Sequence, residues 1–180
     1  MEIYFIRHGD YDTSKLDAGK LTEKGRLQAR KVGERFLDEK VKFDGIYGSI
    51  HQRARETTNI CCEKMGFPLE KIVRKIELVE KMGWEDDEEV VERMDRAVDE
   101  ILKKDGKSFA VFSHGEAILY LMREYCFESG QENYPTSWVM PHCEITLVNY
   151  ALKKNSKDIW IPRIDEEYHR YKHLEEIDRE

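Results

Sequence analysis

Two short apolar runs in this chain each end in a histidine–glycine pair. Residues 3–6 lead into His8-Gly9, and residues 109–112 lead into His114-Gly115. Short apolar runs bounded by glycine are typical of buried strands, and in an open α/β sheet the residues just past the carboxyl ends of the strands line the ligand crevice. If the two strands are neighbours, the two imidazoles face each other. Arg7, beside the first of them, then indicates an anionic ligand.

Strand-like and helix-like segments alternate along the chain. The clearest helical pattern lies in residues 88–104, where apolar residues recur with a 3.6-residue period. Such alternation predicts a three-layer α/β fold, with a mostly parallel central sheet and helices on both faces. The last two strands have no helix between them, which predicts an antiparallel edge strand. The predicted strands cover about residues 2–6, 43–48, 72–76, 108–113, 144–150 and 158–162, and the predicted helices about 22–40, 52–65, 88–104, 115–127 and 165–177.

Length and composition favour one soluble domain. A chain of 180 residues is expected to form a single domain, residues 1–180, and no apolar stretch approaches the roughly 18 residues of a membrane span. The formal net charge of −7 argues against nucleic acid or a membrane as partner, because both bind basic surfaces. The first residues lack the features of a secretory signal, so a cytoplasmic location is predicted. The four cysteines have no metal-type spacing and are predicted to be reduced thiols.

Five motifs, spread from the first strand to about residue 115, carry a family resemblance. They are Arg7-His8-Gly9; Leu21-Thr22-Glu23-Lys24-Gly25 with Gln28-Ala29; Ser49-Ile50-His51-Gln52-Arg53-Ala54 with Thr57; Leu78-Val79-Glu80; and Ser113-His114-Gly115. In this order they resemble the successive motifs of the histidine phosphatase superfamily, also called phosphoglycerate mutase-like. A lone Arg-His-Gly would be weak evidence, whereas five ordered motifs make a chance agreement improbable.

The resemblance, to the phosphatase branch in particular, implies a metal-independent phosphomonoesterase that uses no cofactor. Arginine forks suit phosphate oxygens, and a histidine that is neutral at the attacking nitrogen can form a phosphohistidine. A carboxylic acid would protonate the leaving alkoxide and then activate water. The implied roles are His8 as nucleophile, Glu80 as general acid and base, and Arg7, Arg53, His114 and Gly115 as phosphate-binding residues, with His114 counted also as catalytic.

Two of these assignments have competitors nearby. The family's arginine stands immediately before an alanine, which favours Arg53, while Arg55 is expected on another face of the helix. The segment between Glu80 and the following glycine is one residue shorter than is usual in the family. Glu77 and Glu85 therefore remain alternatives for the acid.

Four further histidines are open to interpretation. His51 lies beside the Arg53 motif and is either a ligand contact or an exposed residue, and His142 stands where the family often has asparagine. His169 and His173 have the i, i+4 spacing of metal ligands, but their charged neighbours favour a solvated helix face.

The sequence leaves the substrate open. A small phosphorylated metabolite or a phosphopeptide would be recognised by loops at about residues 9–21, 77–87 and 128–141. The sequence also leaves two alternatives to hydrolysis: phosphoryl transfer of the phosphoglycerate mutase type, and a catalytically silent phosphate- or phosphopeptide-binding module. The segment between Arg53 and Glu80 is short, whereas the resemblance implies that mutases carry extra segments that keep water from the phosphoenzyme, so hydrolysis is favoured.

Overall fold

The residues that the structure describes form one six-stranded sheet with helices on both faces. The computed structural model describes residues 1–14, 19–130, 140–152 and 160–165. The strands are β1 (Glu2–Arg7), β2 (Gly45–Ser49), β3 (Val73–Lys75), β4 (Ser108–Ser113), β5 (Ile145–Leu152) and β6 (Trp160–Ile164), and the helices are α1 (Glu23–Asp38), α2 (Gln52–Met65), α3 (Asp87–Leu102) and α4 (Gly115–Ser129).

The strands lie in the order β3-β2-β4-β1-β5-β6. β1, β2, β3 and β4 run parallel to one another, whereas β5 pairs antiparallel with β1, and the edge strand β6 pairs antiparallel with β5. The predicted α/β fold, with its mostly parallel sheet and an edge strand that pairs antiparallel with its neighbour, is confirmed. The strand that reverses direction is β5, which lies one place inside the edge.

Each face of the sheet carries its own apolar core. Side chains of β1 alternate between the two cores: Ile3 and Phe5 pack with α3 and α4, and Tyr4 and Ile6 pack with α1 and α2. This alternation follows from the two-residue repeat of a strand, and a strand buried on both faces has to be apolar throughout. It explains why the sequence before His8 is an unbroken apolar run.

The amino terminus of α1 is fastened to the chain just after β1. Thr22 caps the helix by accepting a hydrogen bond from the Gly25 amide at 3.0 Å, and its hydroxyl donates to the Asp10 carboxylate at 2.6 Å. A Cβ on Gly25 would lie 1.9 Å from the Asp10 carbonyl oxygen, so this close approach requires glycine. The side chain of Gln28 also accepts the Asp10 amide at 2.8 Å. The second motif therefore holds the turn that follows His8.

The predicted boundaries of β4 and α2 match the structure, and the other element boundaries differ from the predicted ones by at most two residues. The predicted helix 88–104 begins at Asp87, because Asp86 and Glu89 form a capping box, and it ends at Leu102. Residues 166–180, including the predicted final helix with His169 and His173, lie outside the described residues, as do most of the loop 128–141 and residues 15–18 of the loop 9–21. The four cysteines are buried and form no disulfide. Within the described ranges, no helix is long and apolar enough to span a membrane.

Candidate active site

The two histidine–glycine pairs meet at one edge of the sheet. β1 and β4 are adjacent and parallel, and Arg7 is in register with Ser113, so His8 and His114 leave the sheet side by side. Their ring centroids are 5.0 Å apart, and both residues are fully buried. The sequence expectation that the two imidazoles face each other is met in the structure.

Two contacts define the tautomer of His8. Its Nδ1 lies 2.8 Å from the Gly9 carbonyl oxygen, to which only a protonated nitrogen can donate. Its Nε2 accepts a hydrogen bond from Arg53 Nε at 3.1 Å. Nδ1 therefore carries the proton, and the lone pair of Nε2 is directed at Arg53.

His8 stays neutral well below neutral pH. Burial lowers its pKa well below the ordinary value of 6.5, and the neighbouring His114, Arg53 and Arg7 lower that pKa further. A neutral imidazole among cationic groups is the form that a nucleophile requires.

Arg53 is held at the start of α2 by the chain after His8. Thr57 accepts a hydrogen bond from the Gly9 amide at 3.0 Å and donates one to the Arg53 carbonyl oxygen at 2.7 Å. The Tyr11 ring covers the guanidinium, with Cζ 4.8 Å from the ring centroid. Arg55, the competing arginine, is exposed. The structure therefore brings Arg53 to His8, and Arg55 lies on the surface.

Arg7 is packed tightly against the second histidine–glycine pair. Its guanidinium donates to the Met140 carbonyl oxygen, and a Cβ on Gly115 would lie 3.0 Å from its Nε. Glycine at position 115 therefore allows the arginine to approach α4. The Nε of Arg7 is a buried donor that has no hydrogen-bond partner among the described residues. An anion is the natural acceptor for such a donor.

Glu80 lies between Arg53 and His114. Its Oε2 is 3.3 Å from Arg53 Nη2 and 3.3 Å from His114 Nδ1. Burial opposes ionisation of this carboxyl, but the contact with His114 and the charge of Arg53 outweigh it, and the pKa of Glu80 lies below its ordinary value. Its Oε1 is buried and has no hydrogen-bond partner among the described residues, which leaves it available to carry a proton.

Of the three candidate acids, Glu80 is the one that the structure brings to His114. Glu85 forms a two-point ion pair with Arg93, at 2.7 and 3.0 Å. Glu77 lies in a short 3-10 turn, Ile76–Leu78, before Glu80, and its carbonyl oxygen accepts a hydrogen bond from Arg93 at 2.7 Å. The shortened segment after Glu80 therefore does not move that residue away from the pocket.

His114 is fixed from its other side by Ser49. The Ser49 hydroxyl lies 2.9 Å from His114 Nε2 and accepts the His51 amide at 3.2 Å. The hydroxyl can then donate to Nε2, which places the ring proton on Nδ1, towards Glu80. Burial lowers the pKa of His114 to about 4, although Glu80 acts in the opposite direction. His114 is therefore a neutral donor near pH 7.

Two other histidines border this group. The His51 ring is half-buried and 5.1 Å from the His114 ring. His142 stands 5.5 Å from the His8 ring, and its Nδ1 is 3.6 Å from the Asp10 carboxylate. Burial and the charge of Arg7 lower the pKa of His142 to about 4, so it adds no positive charge near neutral pH.

The site opens into a cavity of about 550 Å³. This cavity has more room than a phosphate group needs, and its outer part is lined by aromatic and apolar side chains as well as charged ones. The lining includes Arg7, Arg53 and Glu80, together with Tyr11, Leu119 and Tyr120.

Three side chains of the site are also close enough to share a metal ion. The ligand atoms of His8, Glu80 and His114 lie within 4.8 Å of one another. Two neutral imidazoles and a carboxylate are a donor set that zinc accepts. That the protein needs no metal therefore stays a prediction.

Sequence reasoning missed Tyr11 and Arg93, and it used Ser49 only as part of a motif. Tyr11 covers Arg53 from the loop after β1, where no pattern indicates a partner. Arg93 could have been noticed in the sequence, because it stands between Val90 and Met94 on the apolar face of α3. In the structure it is only 7% exposed. A charged residue within an apolar face is expected to have a buried partner.

Comparison with known proteins identifies the family to which the chain belongs. The sequence profile of the histidine phosphatase superfamily (branch 1) matches residues 3–83 and 74–161. The chain belongs to this superfamily. Among curated proteins, the mitochondrial serine/threonine-protein phosphatase Pgam5 of Drosophila sechellia is 38% identical over 77 residues, which cover 39% of this chain and 25% of that protein. The matched part is thus about a quarter of the length of such relatives.

Solved structures of other proteins share the fold of this superfamily member. A protein named mycobacterial hydrolase 1 superposes with a TM-score of 0.73 at 18% identity, covering 91% of this chain and 96% of the other. The protein histidine phosphatase SixA, complexed with tungstate, gives a TM-score of 0.67 at 20% identity, covering 83% of this chain and 88% of the other. At these identities the likeness shows the architecture alone.

Proposed function

We propose that the protein is a metal-independent phosphomonoesterase that acts through a phosphohistidine on His8. The observation that carries this proposal is the state of His8: a buried, neutral imidazole whose Nε2 lone pair is directed at Arg53, one of the two arginines of the site. A module that only binds phosphate has no need of a neutral nucleophile. The retained histidines therefore favour turnover over silent binding.

In the first step the phosphate is bound by Arg7, Arg53 and His114, together with the amide of Gly115 at the start of α4. Helix amino termini and arginine forks both favour phosphate oxygens. The Nε2 lone pair of His8 forms a bond to phosphorus while the ester P–O bond breaks. The leaving oxygen takes a proton from Glu80.

Glu80 has to be protonated for that step, although it is ionised in the free site. Phosphate binding supplies the change, because a dianion competes for Arg53 and brings like charge next to the carboxylate. Both effects raise the pKa of Glu80 in the complex. The unpartnered Oε1 is the position from which this proton would be donated.

In the second step Glu80, now a carboxylate, takes a proton from a water molecule. The water oxygen bonds to phosphorus, and the bond between phosphorus and His8 Nε2 breaks. Inorganic phosphate leaves, His8 regains its lone pair, and Glu80 is again protonated. No metal or external redox partner enters either step.

Hydrolysis is favoured over mutase-type transfer because the chain between α2 and Glu80 is short. Residues 66–79 form only two 3-10 turns and the edge strand β3. This stretch adds no segment that would cover the pocket and keep water from a phosphohistidine. The substrate class remains a small phosphorylated metabolite or a phosphopeptide, and the cavity of about 550 Å³ leaves room for either kind of leaving group.

The test is steady-state hydrolysis of p-nitrophenyl phosphate by the purified protein, with and without EDTA. We expect turnover that survives EDTA and that vanadate inhibits competitively, since trigonal-bipyramidal vanadate imitates the transferring group. Activity that vanishes with EDTA and returns with a divalent ion would contradict the mechanism. Vanadate binding without turnover would favour the silent binding module. Transfer of phosphate to added 3-phosphoglycerate faster than its release to water would favour the mutase.

A further inference from the structure

We propose that Arg93 is a positioning residue that holds Glu80 at the distance and angle needed for proton transfer to the leaving group. This inference rests on the proposed role of Glu80 as the general acid. Arg93 itself lies on α3. It donates hydrogen bonds to the acidic loop, residues 77–85, rather than to His8, His114 or Arg53.

Arg93 holds the main chain on the approach to Glu80. It donates hydrogen bonds to the carbonyl oxygens of Glu77 at 2.7 Å, Val79 at 2.9 Å and Glu80 at 3.1 Å. The remaining carbonyl of this stretch, that of Leu78, accepts the Ser113 hydroxyl at 2.8 Å. Four consecutive carbonyl groups are thus bound by side chains from α3 and β4.

Arg93 also fixes the chain beyond Glu80. Its guanidinium forms the two-point ion pair with Glu85, and the Glu85 carboxylate accepts the Met82 amide at 2.8 Å. Only 8% of the Arg93 side chain and 12% of the Glu85 side chain are exposed, so the pair is largely desolvated. Two-point arginine–carboxylate pairs fix orientation as well as distance. Glu80 is therefore anchored on both sides by one guanidinium.

Loss of Arg93 is expected to affect one step rather than the whole site. His8 and Arg7 are held by β1 and Arg53 by α2, and none of these residues depends on the acidic loop for its backbone position. Without Arg93, three carbonyl groups lose their donor and the Glu85 carboxylate loses its ion-pair partner, which releases the backbone of Glu80. A displacement of about 1 Å at a catalytic group can cost about 100-fold in rate. The predicted defect is a loss of leaving-group protonation with phosphate binding retained.

The experiment compares kcat/KM for an alkyl phosphate and for p-nitrophenyl phosphate in Arg93→Gln, Arg93→Lys and Glu80→Gln variants. Nitrophenolate departs without a proton, whereas an alkoxide does not. We expect Arg93→Gln to lower the alkyl rate roughly 10- to 100-fold and the aryl rate less than about 3-fold, with vanadate inhibition unchanged. Arg93→Lys should recover part of the alkyl rate, because one ammonium replaces some of the donors.

Two controls separate positioning from general stability. Arg96 lies on the same helix and pairs with Glu92 on the surface, so Arg96→Gln should leave both rates unchanged. The double variant of Glu80→Gln with Arg93→Gln should be no slower on the alkyl ester than Glu80→Gln alone, since both changes remove the same proton transfer. If Arg93→Gln does not fold, Glu85→Gln weakens the same ion pair from the other side and should show the same alkyl selectivity.

The outcomes that overturn the proposal are distinct. Equal losses on both substrates in Arg93→Gln and Glu85→Gln, with vanadate inhibition weakened in parallel, would show a merely structural role. No alkyl-selective loss in these variants, while Glu80→Gln shows one, would show that Glu80 is positioned without Arg93. Absence of selectivity in Glu80→Gln itself would remove the general acid from the proposed function, and the positioning role with it.

Discussion

The pocket has a basic side, formed by Arg7, His8 and His114 on the ends of two adjacent strands, and an acidic side, formed by Glu80 on a loop. The histidines of the basic side are fully buried, whereas 25% of the Glu80 side chain is exposed. Main-chain hydrogen bonds of the sheet position the basic side. Side-chain contacts from Arg93 and Ser113 position the acidic side.

This difference separates two kinds of constraint. A nucleophile at a strand end is positioned by the pairing of β1 with β4 over six residues, and a single substitution hardly disturbs this pairing. A carboxyl on a loop depends on individual side chains, and each of these can be lost through one substitution. Variants of the basic side should therefore stop the chemistry, whereas variants of the acidic side should change which leaving groups are accepted.

The largest expected effect is that of His8→Ala, which tests whether the basic side carries the nucleophile. We expect turnover to fall roughly 10⁴-fold or more with the fold intact, because the covalent step is lost while the strand is kept. Steady-state rates and circular dichroism check this. Adding His114→Ala should lower the rate little further, because the two residues act as a unit. A His8→Ala rate near that of the wild type would end the phosphohistidine proposal.

The acidic side is tested by Glu80→Gln. The alkyl ester should lose roughly 10³-fold in kcat/KM, because its alkoxide needs a proton, while p-nitrophenyl phosphate loses far less. Glu77→Gln should treat both substrates alike and serves as the matched control on the same loop. A selective loss at Glu77 rather than at Glu80 would move the acid along the chain and contradict the assigned contacts.

A smaller loss is expected for Arg53→Lys, which keeps the charge but removes the planar fork. We expect about a 100-fold fall in kcat/KM on both substrates, together with weaker vanadate inhibition. Arg55→Lys, two residues along the same helix and exposed, is the control and should be silent. Equal effects of the two substitutions would mean that helix position does not decide which arginine binds phosphate.

The smallest effect concerns stability and tests how deeply the basic side is buried. The pKa of His114 is about 4 in the folded protein, against an ordinary 6.5, so the unfolded chain takes up this proton first as the pH falls. The contribution of His114 is present above pH 6.5 and is lost between 6.5 and about 4. Between pH 7 and 5 the free energy of unfolding should fall by about 2 kcal/mol through His114.

Urea unfolding at pH 7 and pH 5 measures this fall, and His114→Asn should make it shallower by the same amount. An identical pH dependence in wild type and variant would show that His114 titrates normally in the folded protein.

The sequence predicted the basic side more fully than the acidic side, for physical reasons. Apolar runs that end in His-Gly identify strands and place both imidazoles at one edge, because parallel strands share a carboxyl edge. The acid remained open among Glu77, Glu80 and Glu85, since loop conformation depends on side-chain contacts that no periodicity records. Arg93, which holds that loop, differs from the apolar pattern of α3, but its partner Glu85 is eight positions away on another element.

The strand topology, too, could be predicted only in part from the sequence. The missing helix between the last two strands indicated an antiparallel pair, yet which strand reverses depends on where β5 inserts. β5 lies beside β1, and Val148 pairs with Ile3 there. This pairing buries another apolar strand next to the nucleophile, and it brings His142, at the start of the turn before β5, to 5.5 Å from the His8 ring. Sequence spacing alone does not predict the contact between His142 and His8.

The most direct test of the account is to trap the intermediate. The protein is mixed with ³²P-labelled phosphate ester, quenched in alkali within one turnover, and digested for peptide mapping. We predict label on the peptide that contains His8, stable to alkali and lost in mild acid as a phosphoramidate is, and absent from His8→Ala. Rapid turnover with no labelled peptide, or acid-stable label on another residue, would contradict a phosphohistidine at His8.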